Sequence, residues 1–249
     1  MNRVRQLWQE GKPVVAGWLQ LPGALHAEAL ARCDYDAIVV DLQHSPIDFG
    51  MAVSMMSAIE LGGAEPFVRV AANNGSEIGK LLDNGAYGII SPMINDAGDA
   101  QHLGRAVSYP PRGDRSFGPR RPNLRFGANY HAHASETLVT LAMIETEAAI
   151  SNLDAILSVE GIDGVFVGPT DLALSLGCSP RVDSTEGPVV EAIQHIRRKS
   201  AEASKRCGIF CGSAAFARQK IEEGFAFVTV APDLAMLTEA ARNIISRTR

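Results

Sequence analysis

Lysine is scarce in this chain: Lys12, Lys80, Lys199, Lys205 and Lys220 are all there is, in the N-terminal segment or in stretches of helical periodicity. Imine chemistry in a barrel enzyme needs a desolvated lysine on a strand, so a Schiff-base mechanism is disfavoured. Cysteine is just as sparse. Cys33, Cys178, Cys207 and Cys211 form no CxxC pair and no zinc-ribbon spacing, which points to reduced thiols in or near the core. No apolar run approaches the length of a membrane span, and residues 1–12 are mixed and charged without the apolar region of a signal peptide. The expected setting is cytoplasmic. A formal charge of −5 with a pI near 5.7 argues against nucleic acid and membrane surfaces, and for small-molecule partners.

What is present is alternation. β-prone runs at residues 14–19, 37–41, 66–69, 87–90, 138–144, 164–167, 208–211 and 227–230 are separated by helical patterns at 24–32, 49–61, 76–82, 96–107, 150–159 and 189–206, with a terminal helix at 233–246. Eight strand–helix units predict a closed (β/α)8 TIM barrel, filling residues 1–249 as a single domain. No Gly-rich dinucleotide fingerprint follows the first strand, which removes the main reason to prefer an open doubly wound sheet. A first short helix, with Val4, Leu7 and Trp8 on one face, is placed to cap the barrel's base. The stretch 109–136 reads as a long irregular loop in which Arg112, Arg115, Arg120, Arg121 and Arg125 face a single acid, Asp114. Such a basic island fits either a solvated loop pairing with a neighbouring subunit or a lure for an anionic substrate.

Three strings fall where strands meet solvent: Asp41-Leu42-Gln43-His44, Ile144-Glu145-Thr146 and Gly168-Pro169-Thr170-Asp171-Leu172. Barrel enzymes keep their chemistry at these ends. Strands five and six are neighbours in a barrel, so Glu145 and Asp171 would project side by side and suit a hard divalent ion such as Mg²⁺ or Mn²⁺. Taken singly, Glu145 equally fits a surface residue and Asp171 a helix cap. The backbone N–H groups after Gly168 and Pro169 would open a helix toward a bound anion such as the carboxylate of a 2-oxo acid. His44 could take a proton from a carbon beside a carbonyl, or be structural. Arg69 ends the apolar run Pro66-Phe67-Val68 and would bring a permanent charge to the mouth, suited to an enolate. Trp18 and Phe210, near the ends of strands one and seven, either shape an aldehyde pocket or belong to the core. By local pattern alone, Asp83 is a solvated acid at a helix C-terminus.

With Ser45-Pro46, Lys80-Leu81-Leu82-Asp83-Asn84-Gly85-Ala86, Tyr109-Pro110-Pro111-Arg112-Gly113 and Gly161-Ile162-Asp163-Gly164-Val165-Phe166-Val167 added to these strings, nearly the whole chain resembles the metal-dependent (class II) pyruvate aldolases of the HpcH/HpaI family. The resemblance implies a barrel that exchanges a helix between subunits and a homohexamer built as a trimer of dimers. It implies Glu145 and Asp171 as ligands of Mg²⁺, Mn²⁺ or Co²⁺, His44 as base with Asp83 raising its basicity, and Arg69 as enolate stabiliser. The backbone from Gly168 through Pro169 and Thr170 to Asp171 would hold the substrate carboxylate. The implied reaction is reversible aldol cleavage of 4-hydroxy-2-oxo acids, with metal and Arg69 holding the enolate and His44 moving the C3 proton.

Two positions depart from the commonest family pattern: Gln43 replaces a frequent Glu, and Met143 a frequent Gln. This looks like the family's hydroxyketoacid aldolases, which accept hydroxypyruvate as well as pyruvate beside an aldehyde. A lyase of the same barrel superfamily acting on a CoA thioester would share barrel, metal and arginine but need a nucleotide site. A non-catalytic 2-oxo-acid-binding protein would need no base.

Overall fold

The computed structural model describes residues 2–249; Met1, the first residue of the charged N-terminal segment, lies outside them. Strands β1 (Val14–Leu19), β2 (Ala37–Asp41), β3 (Glu65–Arg69), β4 (Gly88–Ser91), β5 (Val139–Ile144), β6 (Gly164–Val167), β7 (Arg206–Cys211) and β8 (Phe227–Pro232) pair in parallel and in order, and β8 returns to β1. The (β/α)8 barrel is closed. Its helices are α1 (Arg3–Gln9), α2 (Ala24–Ala31), α3 (Phe49–Gly62), α4 (Gly75–Asp83), α5 (Ala97–Val107), α6 (Arg120–Phe126), α7 (Ala134–Thr137), α8 (Glu147–Ser151), α9 (Leu153–Leu157), α10 (Pro169–Ser175), α11 (Gly187–Glu202), α12 (Ala214–Glu222) and α13 (Asp233–Thr248).

Strand side chains alternate between two apolar populations because successive residues point to opposite faces. Ile38, Val40, Val68, Ala142, Val165 and Val228 lie under the outer helices, while Ala16, Val39, Phe67, Met143, Phe166 and Phe227 fill the interior. Counting on by two from Val39, Phe67 and Met143 reaches Asp41, Arg69 and Glu145. The period that builds the core therefore also carries these three polar groups to the C-terminal mouth. At the other end α1 closes the base: Val4 and Trp8 are buried against the inner cluster, Leu7 packs beside them, and the Trp8 indole donates to Ala226 O at 2.8 Å.

The stretch 109–136 departs from the expected loop. It contains α6, a 3-10 turn at Tyr130–His133, and α7. Three of its five arginines are bound inside the chain. Arg115 is buried with its guanidinium 2.9 Å from Asp83, Arg121 pairs with Glu60, and Arg125 pairs with Glu60 and Glu65. Helical spacing lays Arg121 and Arg125 on one face of α6, toward the acids of α3 and β3. Only Arg112 and Arg120 remain as exposed arginines of that island. Elsewhere, the helix expected at 150–159 is two short ones meeting at Asn152, and the one expected to reach 206 stops at Glu202 before a turn with Ser204 at φ 58°. Helix α12, opened by a Ser213 side-chain cap, was not foreseen.

Helix α13 stands apart from the others. Of its residues only Asp233 is buried, while Leu237 is 58% and Ile244 66% exposed.

The inner layer leaves little slack. A Cβ built on Gly88 of β4 would lie 2.1 Å from the Phe67 ring, so Gly88→Ala forces an interior aromatic to move. The expected cost is about 1–3 kcal/mol in urea denaturation; wild-type stability would show that Phe67 shifts freely.

Candidate active site

The paired strand-end residues surround a cavity of about 140 Å³ at the C-terminal mouth, lined by Trp18, Gln20, His44, Arg69, Met143, Phe166, Phe210 and residues 168–171. Four larger clefts, of about 690, 820, 330 and 300 Å³, lie elsewhere on the barrel and share none of the residues that line this cavity. Size does not mark the chemistry here.

Asp41 is wholly buried and organises the mouth. One carboxylate oxygen accepts Arg69 Nε at 2.8 Å and the other accepts Arg69 Nη2 at 2.6 Å, a two-pronged pair that fixes the plane of the guanidinium. The same carboxylate accepts the backbone N–H groups of Gln43 at 3.0 Å and His44 at 3.3 Å, and the Trp18 indole N–H at 3.3 Å. Burial alone would raise its pKa. The Arg69 hydrogen bonds and charge, with the two backbone donors, outweigh burial and hold the group below the ordinary value. Trp18 also lies under the guanidinium, 4.8 Å from ring centroid to Arg69 Cζ, and packs on Phe166 and edge-on against Phe210. It is only 1% exposed, whereas Phe210 is half-buried and offers the open aromatic wall.

Glu145 is in a different electrostatic state. It is buried, and one oxygen accepts the N–H of Met93 at 2.7 Å, a residue held at φ 55° in the β4–α5 turn. Burial, and the charge of nearby Asp171, push its pKa up to about 6 against the opposing pull of the Met93 N–H and Arg69. A Cβ on Gly168 would lie 2.5 Å from Glu145 Oε2 and 3.0 Å from Met143 Cε, so only glycine lets the end of β6 pass this carboxylate. Among the described residues neither Glu145 nor Asp171 forms an ion pair, and no third His, Cys, Asp or Glu completes a cluster. Two unneutralised oxygen donors fit a hard divalent cation that takes its remaining ligands from water and substrate, as Mg²⁺ does.

His44 is exposed and lines the cavity, with its backbone anchored through Asp41. Gly168, Pro169, Thr170 and Asp171 form one wall, where α10 begins with Pro169 and carries no side-chain cap. Among the described residues Asp83 forms no hydrogen bond or ion pair with His44. Far from being a free solvated acid, it accepts from Arg115 and lines the cleft between α4 and α5.

Three contributors were not singled out from sequence: Asp41, Gln20 and Met93. For Asp41 and Gln20 the signal is their inward register at strand ends. For Met93 there is none, because its contribution is a backbone N–H. Gln20 is held by Asp233, whose buried carboxylate accepts the N–H of Gln20 at 2.8 Å and of Leu21 at 3.1 Å and sits 3.1 Å from His26 Nε2.

Residues 16–240 match the HpcH/HpaI aldolase/citrate lyase family. The chain belongs to it. A hydroxypyruvate/pyruvate aldolase of Rhizorhabdus wittichii is 65% identical, covering 100% of this chain and 99% of that one. A 4-hydroxy-2-oxo-heptane-1,7-dioate aldolase of Salmonella heidelberg is 33% identical over 99% and 94% of the two chains. The crystal structure of an HpcH/HpaI aldolase/citrate lyase family protein from Burkholderia cenocepacia superposes with a TM-score of 0.92 at 30% identity, covering 100% of both chains. This HpcH/HpaI family member is thus an enzyme of carbon–carbon bond cleavage, built on the barrel its sequence pattern predicts. None of the five lysines lines its cavity.

The Asp41–Arg69 pair can be tested through stability. Because the Asp41 carboxyl is held below its ordinary value, its contribution is present above that value and lost as pH falls through the depressed one. Asp41→Asn leaves a buried guanidinium unpaired and should cost about 3–5 kcal/mol at pH 7. Urea denaturation at neutral and acid pH should show the deficit shrinking in acid; an equal deficit at both would deny the ion pair its role.

Proposed function

We propose that this chain, acting over residues 1–249 as one barrel unit, is a divalent-metal-dependent aldolase. It reversibly cleaves 4-hydroxy-2-oxo acids to pyruvate or hydroxypyruvate and an aldehyde. The observation that carries the reading is a fixed guanidinium that shares a lysine-free cavity with Asp171, with the buried, unpaired Glu145 directly behind Gly168 of its wall. Similarity to the Rhizorhabdus and Salmonella aldolases supports the substrate class.

Glu145 and Asp171 would hold Mg²⁺, Mn²⁺ or Co²⁺, which when bound supplies Lewis acidity toward the donor's oxygens. Arg69, locked by Asp41, faces the charge that develops on the C2 oxygen and needs no reorganisation to meet it. In the addition direction His44 takes the donor's C3 proton, directly or through water, and the enolate attacks the aldehyde; in cleavage the C4 hydroxyl gives up its proton as the C3–C4 bond breaks, and His44 returns a proton to C3 of the enolate. The uncapped first turn of α10, at Thr170 and Asp171, offers N–H groups to the donor carboxylate. Phe210 borders the aldehyde, and Trp18 acts behind it by seating Arg69. Asp83 can support His44 only from a neighbouring subunit, since within the chain it opens on another cleft. Such a neighbour is part of the proposal: the exposed apolar side of α13 fits a helix exchanged between subunits of a homohexamer. Light scattering should give six times the 26.6 kDa chain mass; a monomer would reject the assembly.

Chelation by EDTA should abolish turnover, with activity restored by added Mg²⁺, Mn²⁺ or Co²⁺. Borohydride with pyruvate should leave the protein mass unchanged, and a pyruvyl adduct would overturn metal-based activation in favour of an imine.

His44→Ala should slow exchange of pyruvate methyl protons with deuterium by about a hundredfold or more while metal binding survives. Arg69→Lys keeps the charge but loses the fork, and should slow exchange as well. Wild-type exchange rates in His44→Ala would remove its role as base.

A further inference from the structure

We infer that Gln20 is the residue that recognises the C3 hydroxyl of the donor, and so sets the balance between hydroxypyruvate and pyruvate; this rests on the aldolase reading above. Apart from Thr170, on the α10 turn assigned to the donor carboxylate, the walls around the donor's carbon end are otherwise apolar or already engaged. Trp18, Met143, Phe166, Pro169 and Phe210 offer no free hydrogen-bonding side-chain group, since the Trp18 N–H is spent on Asp41. Arg69, His44 and Asp171 have roles in charge, proton and metal, and Thr170 lies next to Asp171 in the first turn of α10.

Gln20 is different in kind. It is a neutral amide, half-buried on the far side of the cavity from α10, at the end of β1. Its backbone is pinned by Asp233, so the side chain starts from a fixed point. Its Nε2 reaches Asp41 Oδ2 at 3.5 Å, the same oxygen that binds Arg69 Nη2, which sets the amide beside the head of Arg69. That contact is long, and among the described residues none donates a hydrogen bond to Gln20 Oε1. A donor whose C2 oxygen meets Arg69 carries C3 two bonds from that oxygen, so a C3 hydroxyl comes within reach of the Gln20 amide. Met143 complements it: an apolar neighbour leaves room for the hydroxyl, while Gln20 supplies the acceptor that makes burying it favourable.

The test compares wild type with Gln20→Leu and Gln20→Met, two variants that keep bulk but remove the amide, so that a folding failure in one leaves the other. With saturating metal and one shared aldehyde, kcat/KM is measured for both donors. The expected result is a fall of about tenfold or more in the ratio of hydroxypyruvate to pyruvate kcat/KM. An unchanged ratio, including an equal fall for both donors, overturns the assignment and places Gln20 with the aldehyde or the scaffold. If wild type turns over neither donor, the aldolase reading itself fails, an outcome distinct from an unchanged ratio.

Discussion

A buried carboxylate must be matched by hydrogen-bond donors, and at the mouth of this barrel Asp41 is matched six times, twice by Arg69 and once each by Trp18, Gln20, Gln43 and His44. From that saturation the rest of the site takes its shape. The guanidinium is held in one plane, the indole is fixed beneath it, and the turn after β2 is folded so that His44 leaves it toward the cavity. A buried ion pair is a poor source of net stability, because desolvating both charges offsets most of their attraction. Its value here is geometric. The pair converts a long, rotamer-rich arginine into a fixed dipolar wall.

At Glu145 the opposite arrangement holds. Glu145 is buried but under-matched, carrying one backbone N–H and a nearby like charge, and its proton affinity rises accordingly. The site thus juxtaposes a saturated carboxylate with an unsaturated one. The first builds the frame; the second retains capacity for a ligand from outside the chain. Gly168 lets both exist in so small a space, since any side chain there would press into the Glu145 carboxylate.

The barrel was legible because its two periodicities are local. Strand alternation and helical spacing are written over five to fifteen residues, and seven of the eight strands start within one residue of their expected positions. The exception, β7, begins two residues early at Arg206, because α11 ends before the apparent helical pattern does. His44, Arg69, Glu145 and Asp171 were legible for a related reason, lying at strand ends where polar residues interrupt apolar runs. The role of Asp41 was not, since it depends on which face of β2 looks inward and on a partner 28 residues away. The stretch 109–136 misled because arginine and proline signal a solvated loop, whereas the acids that bind these arginines, Glu60, Glu65 and Asp83, lie on other elements. Met93 could not be read at all, as a backbone N–H in a left-handed turn leaves no trace in residue type.

Asp233 joins two parts of the molecule that otherwise share little. It is the first residue of α13, whose outer side lacks cover within the chain, and it is also the anchor of the turn that presents Gln20 to the cavity. The start of that helix and the turn that carries Gln20 are therefore fixed at one carboxylate. The pocket rim at Gln20 is thus anchored by a residue 213 positions further along the chain, in its last helix.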